Sequence, residues 1–172
     1  MSRFAPRAQS NSLISKIFGS SDQNQAHELN EWLENTLKRE LEVDHIERDD
    51  DGDISIPVGS AVVFVRVCNE DPPHIEIFAP LLEDFAIRPE VYESVNAINR
   101  QTRIVKAVVS PEHNQIVLSA ELFIFDGGLS SDQLMVTIDI VADRADHYDT
   151  LLQKRFGGRT MLDDDQGDEF DV

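Results

Sequence analysis

Residues 115–135, QIVLSAELFIFDGGLSSDQLM, contain the pattern that decides the fold of this 172-residue chain. In their first part, apolar side chains recur at every second position: Ile116, Leu118, Ala120, Leu122 and Ile124. This period of two predicts a long strand with one buried face. A turn at 126–128 then leads into a helix, so the helix is expected to pack back onto the sheet that contains this strand.

The Asp126-Gly127-Gly128 turn admits two interpretations. A phosphate-binding loop requires a glycine-rich turn at a free helix N-terminus, usually with a lysine or a third glycine, and both are missing here. The local alternative accounts for each residue, because Ser130 can cap the helix and Gln133 can complete a capping box. Leu129 and Leu134 flank the cap as a hydrophobic staple. We therefore predict a structural corner that fixes how the last helix leaves the sheet.

Periodicity and turn residues extend this prediction to the rest of the chain. Pro89 suits the first position of a helix, because no backbone donor is lost there. The predicted elements, in chain order, are a helix over 25–41, strands over 54–58, 61–68 and 74–80, a helix over 88–101, strands over 103–109 and 115–125, and a helix over 131–156. The continuous run at 61–68 is expected to be an interior strand. The predicted fold class is α+β, an antiparallel sheet with helices on one face and the order α-β-β-β-α-β-β-α.

Composition narrows the possible classes of function. Hydrophobic residues form 41% of the chain, which is enough for a folded core. The formal net charge of -18 repels phosphate backbones and anionic lipids, so no nucleic-acid or membrane partner is expected. Cys68 is the only cysteine, which excludes an intramolecular disulfide and fits a reducing, cytoplasmic compartment.

Charge also divides the chain into three parts. Residues 1–24 carry a net charge of +2, and residues 159–172 carry -5. Both are predicted to be flexible tails, because neither can bury enough apolar surface to offset the entropy of ordering. One stretch, SLISKIFGS at 12–20, is either a sticky part of a tail or a segment that docks on this domain or on a partner. The folded domain is predicted to span 25–158.

The sequence predicts no catalytic residue, no cofactor and no metal site. The acidic run RDDDGD at 48–53 aligns Gly52 with the glycine of an EF-hand, but Val58 stands where calcium needs a bidentate glutamate. We interpret this run as a hairpin tip. The five histidines lack the spacing of zinc ligands. Cys68 falls in an apolar strand, where thiols are usually inert.

Three stretches, taken in order, resemble a known family: RPEVYESVNAINRQTRIVKAVV at 88–109, QIVLSAELFIFDGGLSSDQL at 115–134 and LLQKRFGG at 151–158. They resemble the YbjN-like family, whose fold is similar to that of type III secretion chaperones and which includes actinobacterial peptide-binding-chaperone-like domains. The resemblance implies a small acidic α+β domain, often dimeric and without catalytic residues. It also implies a surface that holds an extended segment of a partner, and the YbjN name adds a loosely defined regulatory role.

Two functions follow as hypotheses. The first is a non-enzymatic protein- or peptide-binding module, chaperone-like or adaptor, that acts as a homodimer. Its predicted partner or dimer surface lies on the second helix: Val91, Tyr92, Val95, Ile98 and Asn99. The second is a regulatory or scaffold protein that acts through its tails on a dimeric core. The acidic run DDDQGDEFDV at 163–172 is either a solubilising run or a short linear motif.

Overall fold

A computed structural model describes residues 22–59, 61–70, 73–125 and 128–161. Its elements are α1 (Asp22–Glu40), β1 (Ile54–Val58), β2 (Ala61–Cys68), β3 (His74–Glu83), α2 (Pro89–Gln101), β4 (Lys106–Ser110), β5 (Gln115–Phe123) and α3 (Ser131–Phe156). Their order is the predicted α-β-β-β-α-β-β-α. The predicted fold class, α+β with an antiparallel sheet, is confirmed.

The five strands form one antiparallel sheet in the order β1-β2-β3-β5-β4. As predicted, β2 is an interior strand, paired with β1 on one side and β3 on the other. A register shift between Pro80 and Leu82 interrupts the ladder between β3 and β5. The two edges of the sheet are therefore β1 and β4.

The three helices in the described part of the chain pack on the same face of the sheet. The longest, α3, lies across β2, β3 and β5, while α1 packs on β2 and α3, and α2 packs on β4. The predicted stripe of α3 is buried: Leu134, Ile138, Val141, Ala145, Tyr148 and Leu152. Burying a large apolar side chain contributes about 1.5–3 kcal/mol, so this stripe is the main attachment of the helix layer.

The corner before α3 has the predicted capping box. The Ser130 hydroxyl accepts from the Gln133 backbone N–H at 3.1 Å, and the Gln133 side-chain oxygen accepts from the Ser130 N–H at 3.0 Å. Gly128 has a φ of 80°, a conformation that other residues resist. Asp126 and Gly127 lie outside the described residues.

Several element boundaries differ from the predictions. α1 begins at Asp22, three residues early, and β5 ends at Phe123 rather than at 125. β4 begins at Lys106 rather than at 103 because the chain is bent before it. The Thr102 hydroxyl bonds the carbonyls of Ile98 and Val105, and Ile104 has a φ of 73°.

After α3, the chain forms a short backbone pairing with the end of β3, which we call the Arg159 latch. Arg159, which the sequence assigned to the acidic tail, forms an antiparallel bridge with Glu83, with both N–O distances at 2.8 Å. Its guanidinium also binds the carboxylate of Asp84. The predicted tails otherwise lie outside the described residues, at 1–21 and 162–172.

Candidate binding surface

The face of the sheet opposite the helices carries a band of apolar side chains. Alternation along each strand sends Val63, Ile77 and Leu118 into the core and their neighbours to the other face. Registers place Phe64 beside Phe78, and Val117 beside both Pro80 and Val108. We call the resulting set the apolar stripe: Val62, Phe64, Phe78, Pro80, Val117 and Val108. It crosses four of the five strands.

Two members of the stripe stack on each other, and the outer side of the stripe is exposed to solvent. The rings of Phe64 and Phe78 stack with centroids 5.3 Å apart, and the Arg66 guanidinium lies 4.9 Å from the Phe78 centroid. Val108 remains 51% exposed, and the other members are only half-buried. Aromatic side chains with an exposed face are common anchors of protein interfaces, because they bury much area at little entropic cost.

A row of charged side chains borders the stripe. Arg66 pairs with Glu76 at 2.7 Å and with Asp53 at 3.5 Å, and Lys106 pairs with Glu121 at 3.6 Å. Burial raises the pKa of Asp53 despite the nearby Arg66. The row contains three carboxylates and two cations, so its formal charge is negative.

Beyond the charged row lies a second aromatic group. The rings of His74 and Phe123 have centroids 5.1 Å apart, and Phe125 lies 6.4 Å from Phe123. Phe123 is 40% exposed and Phe125 is 66% exposed. Cys68, paired with His74 across the ladder, completes this end. Burial and the Glu76 carboxylate raise the pKa of its thiol, so the nucleophilic thiolate is disfavoured at neutral pH.

The two edges of the sheet are less suited than this face to receiving a peptide. On β4, the Asn99 amide donates to the Ala107 carbonyl at 3.0 Å and accepts from the Ala107 N–H at 2.7 Å. The side chain thus occupies the backbone groups that an added strand would need. On β1, Pro57 has no N–H to donate, and Arg48 already bridges Ile54.

The fold buries part of the surface that the sequence predicts on α2 and leaves the rest exposed. Val91, Val95 and Ile98 are buried in the core of the domain, at 0%, 6% and 5% exposure. Tyr92 is 45% exposed, and Asn99 faces solvent while its amide binds β4. The solvent-facing part of this set therefore consists of Tyr92 and Asn99.

Sequence reasoning did not identify the apolar stripe, although a signal for it was present. The run AVVFVRVC at 61–68 predicts an interior strand, and the structure confirms it. A sheet covered on one face needs apolar residues only at alternate positions. Val62 and Phe64 are apolar residues at the other alternate positions of this strand. They therefore indicate a second apolar surface.

Away from the open face of the sheet, the described part of the chain has a shallow cavity with acidic side chains. This cavity of about 240 Å³ lies between the β1–β2 turn and α3, lined in part by Asp139, Asp143 and Asp146. Across the described ranges, no group of three or more His, Cys, Asp or Glu side chains is arranged to hold a metal ion. None of α1–α3 combines the length and hydrophobicity that a membrane-spanning helix requires.

Solved structures with the same fold include a chaperone–effector complex and YbjN. The ExsC–ExsE complex matches with a TM-score of 0.56 at 15% identity, covering 74% of this chain and 95% of that chain. The HopA1–SchA chaperone–effector complex matches with a TM-score of 0.55 at 11% identity, covering 70% and 93%. YbjN from E. coli matches with a TM-score of 0.53 at 15% identity, covering 73% and 91%. At these identities the likeness concerns the fold. The chain matches none of the curated proteins.

The family comparison is more specific. A sequence profile described as "T3SS (YopN, CesT) and YbjN peptide-binding chaperone 1" matches residues 27–164. That range begins within α1, contains the whole sheet and extends past the Arg159 latch. The chain therefore belongs to the TY-Chap1 family of peptide-binding chaperones.

Proposed function

We propose that this protein is a non-enzymatic, chaperone-like or adaptor module that binds a segment of a partner protein across the open face of its sheet. The observation that carries the proposal is the apolar stripe, a row of half-buried side chains that no element of the described chain covers. Contiguous apolar patches on a protein surface often mark sites where a partner binds. Family membership supports a peptide as the occupant.

The geometry favours side-chain recognition over simple strand addition. Both edge strands have backbone groups that are missing or already bonded, at Pro57 and at Ala107. A partner segment laid across the strands would instead place its apolar side chains on Phe64, Phe78 and Val117. Its basic side chains would reach the neighbouring carboxylates of Glu76 and Glu121. The expected client is thus an extended or amphipathic segment with apolar and basic residues.

A homodimer is part of the same proposal. The exposed Tyr92 on α2 and Ile104, which is 63% exposed just before β4, mark the side of the domain that we propose as the dimer surface. Ile104 is a β-branched residue with a positive φ, a conformation that costs of order 1 kcal/mol. We propose that contact with a second copy of the chain covers this exposed side chain. We place the protein in the cytoplasm, consistent with its single cysteine.

A peptide selected by the protein itself provides the test. The full chain is immobilised and used to select peptides from a random library displayed on phage, and the dissociation constant of one selected peptide is measured. Val108→Glu is expected to weaken binding about tenfold or more, because it places a charge in the stripe. Val136→Glu is the matched control, since Val136 on α3 is 55% exposed and lies on the other side of the molecule. Equal affinities of the two variants would contradict the proposal.

The regulatory or scaffold hypothesis is the alternative, favoured by the charge contrast between residues 1–24 and 159–172. A chain limited to residues 22–161 keeps α1 and the Arg159 latch intact. If a cellular partner binds this shortened chain at least as tightly as the full chain, the domain carries the function. Loss of binding on shortening, with an unchanged melting temperature, would support the alternative.

A further inference from the structure

The proposed function leaves the stretch SLISKIFGS at residues 12–20 without a role. Four apolar residues in it are spaced to share one face of a short helix: Leu13, Ile14, Ile17 and Phe18. The first 21 residues contain three basic residues and no acidic residue, whereas all 33 acidic residues follow them. The stretch is therefore apolar and cationic at the start of a chain that is otherwise strongly anionic.

The open face of the sheet has the complementary properties. The apolar stripe offers half-buried rings and valines, and the adjoining charged row has more carboxylates than cations. Within that row, Glu121 is paired with Lys106 at 3.6 Å, and the Lys106 side chain is 63% exposed. Such an exposed pair contributes little, so Lys16 can replace Lys106 on this carboxylate at small cost.

The length of the intervening chain permits the two to meet. A residue spans at most about 3.6 Å, so Phe18 lies within about 15 Å of Asp22, where α1 begins, and Leu13 lies within about 33 Å. α1 packs against β2, the strand that carries Val62 and Phe64 on its opposite face. Only β1 separates β2 from the nearer edge of the sheet, a step of about 4.8 Å.

We propose that residues 13–18 bind the apolar stripe of their own domain as an internal ligand, which a client segment must displace. The inference rests on the proposed function, since it assigns the same surface to both ligands. A short tether gives an effective concentration of the order of 1 mM, so even an intrinsic dissociation constant near 1 mM leaves the stripe half-occupied. The segment would keep the apolar surface covered when no client is present and would disfavour weak clients.

Paramagnetic broadening in nuclear magnetic resonance tests the contact in the full chain. A nitroxide label is attached to Ser15→Cys in a Cys68→Ser background, which removes the only native thiol. The amide signals of Phe64, Phe78 and Val108 are expected to broaden, while that of Leu151 on α3 stays sharp. Adding Ile17→Asp and Phe18→Asp is expected to abolish the broadening. The control Ser10→Asp with Ser12→Asp makes the same change in charge without removing apolar groups. This control is expected to retain most of the broadening.

Three broadening results would overturn the proposal. Broadening that is absent, or that persists unchanged after Ile17→Asp and Phe18→Asp, would show that the segment does not occupy the stripe. Broadening that arises only when spin-labelled and isotope-labelled chains are mixed would assign the stripe to a second copy of the chain instead.

The affinity of a phage-selected peptide separates this inference from the proposed function. Ile17→Asp with Phe18→Asp is expected to tighten peptide binding about 2–10-fold, because a larger fraction of the surface becomes free. An unchanged affinity in that variant, with Val108→Glu still weakening binding, would refute the internal ligand and leave the proposed function standing. A Val108→Glu variant that binds normally would refute the proposed function whatever the broadening shows.

Discussion

The two faces of the sheet are built from the same strands, yet they differ in what holds their side chains. On the covered face, Ile75, Ile77 and Leu118 are fully buried under the helices. On the open face, the rings of Phe64 and Phe78 stack on each other, and the Arg66 guanidinium lies over the Phe78 ring. The covered face holds the buried core of the domain. The open face carries apolar side chains that are only partly covered, and for that reason we propose it as the binding surface.

The largest expected loss of stability comes from a substitution in the core under the covered face. Leu134→Asp places a charge at a position of zero exposure in the α3 stripe, and is expected to destabilise the domain by roughly 3–5 kcal/mol. Chemical denaturation followed by circular dichroism measures this loss. Val136→Asp, two residues along on the exposed side of α3, should change stability by less than about 0.5 kcal/mol. A denaturation midpoint unchanged by Leu134→Asp would refute the packing of α3.

Substitutions at two adjacent residues of β3 compare how much each face of the sheet contributes to stability. Ile77→Ala is expected to cost about 2–5 kcal/mol, because it leaves a cavity in the core. Phe78→Ala removes a larger side chain but should cost no more than about 2 kcal/mol, since the ring is half-buried and its main partners are Phe64 and Arg66. Urea unfolding of both variants gives the difference. Equal losses would mean that the open face is a structural layer, and its assignment to binding would fail.

A smaller effect is expected at the β4 edge. Asn99→Ala removes both hydrogen bonds to Ala107 and should cost about 1–2 kcal/mol. The Ala107 amide should then exchange with solvent faster, which hydrogen exchange detects. In the control Asn99→Asp, the acceptor of the Ala107 N–H is kept and the donor to its carbonyl is lost, so protection of that amide should largely persist. Unchanged exchange in Asn99→Ala would show that the edge is protected by something else.

The smallest effect is expected for a substitution at an exposed position of α1. His27 on α1 is exposed and lies 3.4 Å from Glu31, an exposed pair of the kind that contributes little. His27→Ala should shift the free energy of unfolding by less than about 0.5 kcal/mol and leave peptide affinity unchanged. A marked loss of peptide binding in this variant would move the candidate site from the sheet to α1.

Much of the fold could be predicted because its signals are local. The capping box needs only Ser130 and Gln133 at the right spacing, and the α3 stripe needs only a helical period of apolar residues. The start of β4 was predicted wrongly, because the bend at Ile104 depends on hydrogen bonds from Thr102 to Ile98 and Val105. Arg159 was assigned to a tail because its bridge to Glu83 joins residues far apart in the chain.

The candidate site was predicted less well, for a related reason. The apolar positions of α2 were identified correctly, but Val91, Val95 and Ile98 could belong to a core or to an interface. Their burial was decided by the packing of α2 on β4. Periodicity shows that a helix has an apolar face, but it does not show which neighbour covers that face.

The amino-acid sequence by itself determined the order of the elements, the acidic character and the corner at Ser130, because these depend on neighbouring residues and on composition. Only the tertiary structure decided which apolar residues stay uncovered. The apolar stripe exists because antiparallel pairing brings residues from four strands into one row while all three helices pack on the opposite face. Exposure depends on every element that packs or fails to pack on a surface, and no single stretch of sequence contains that information.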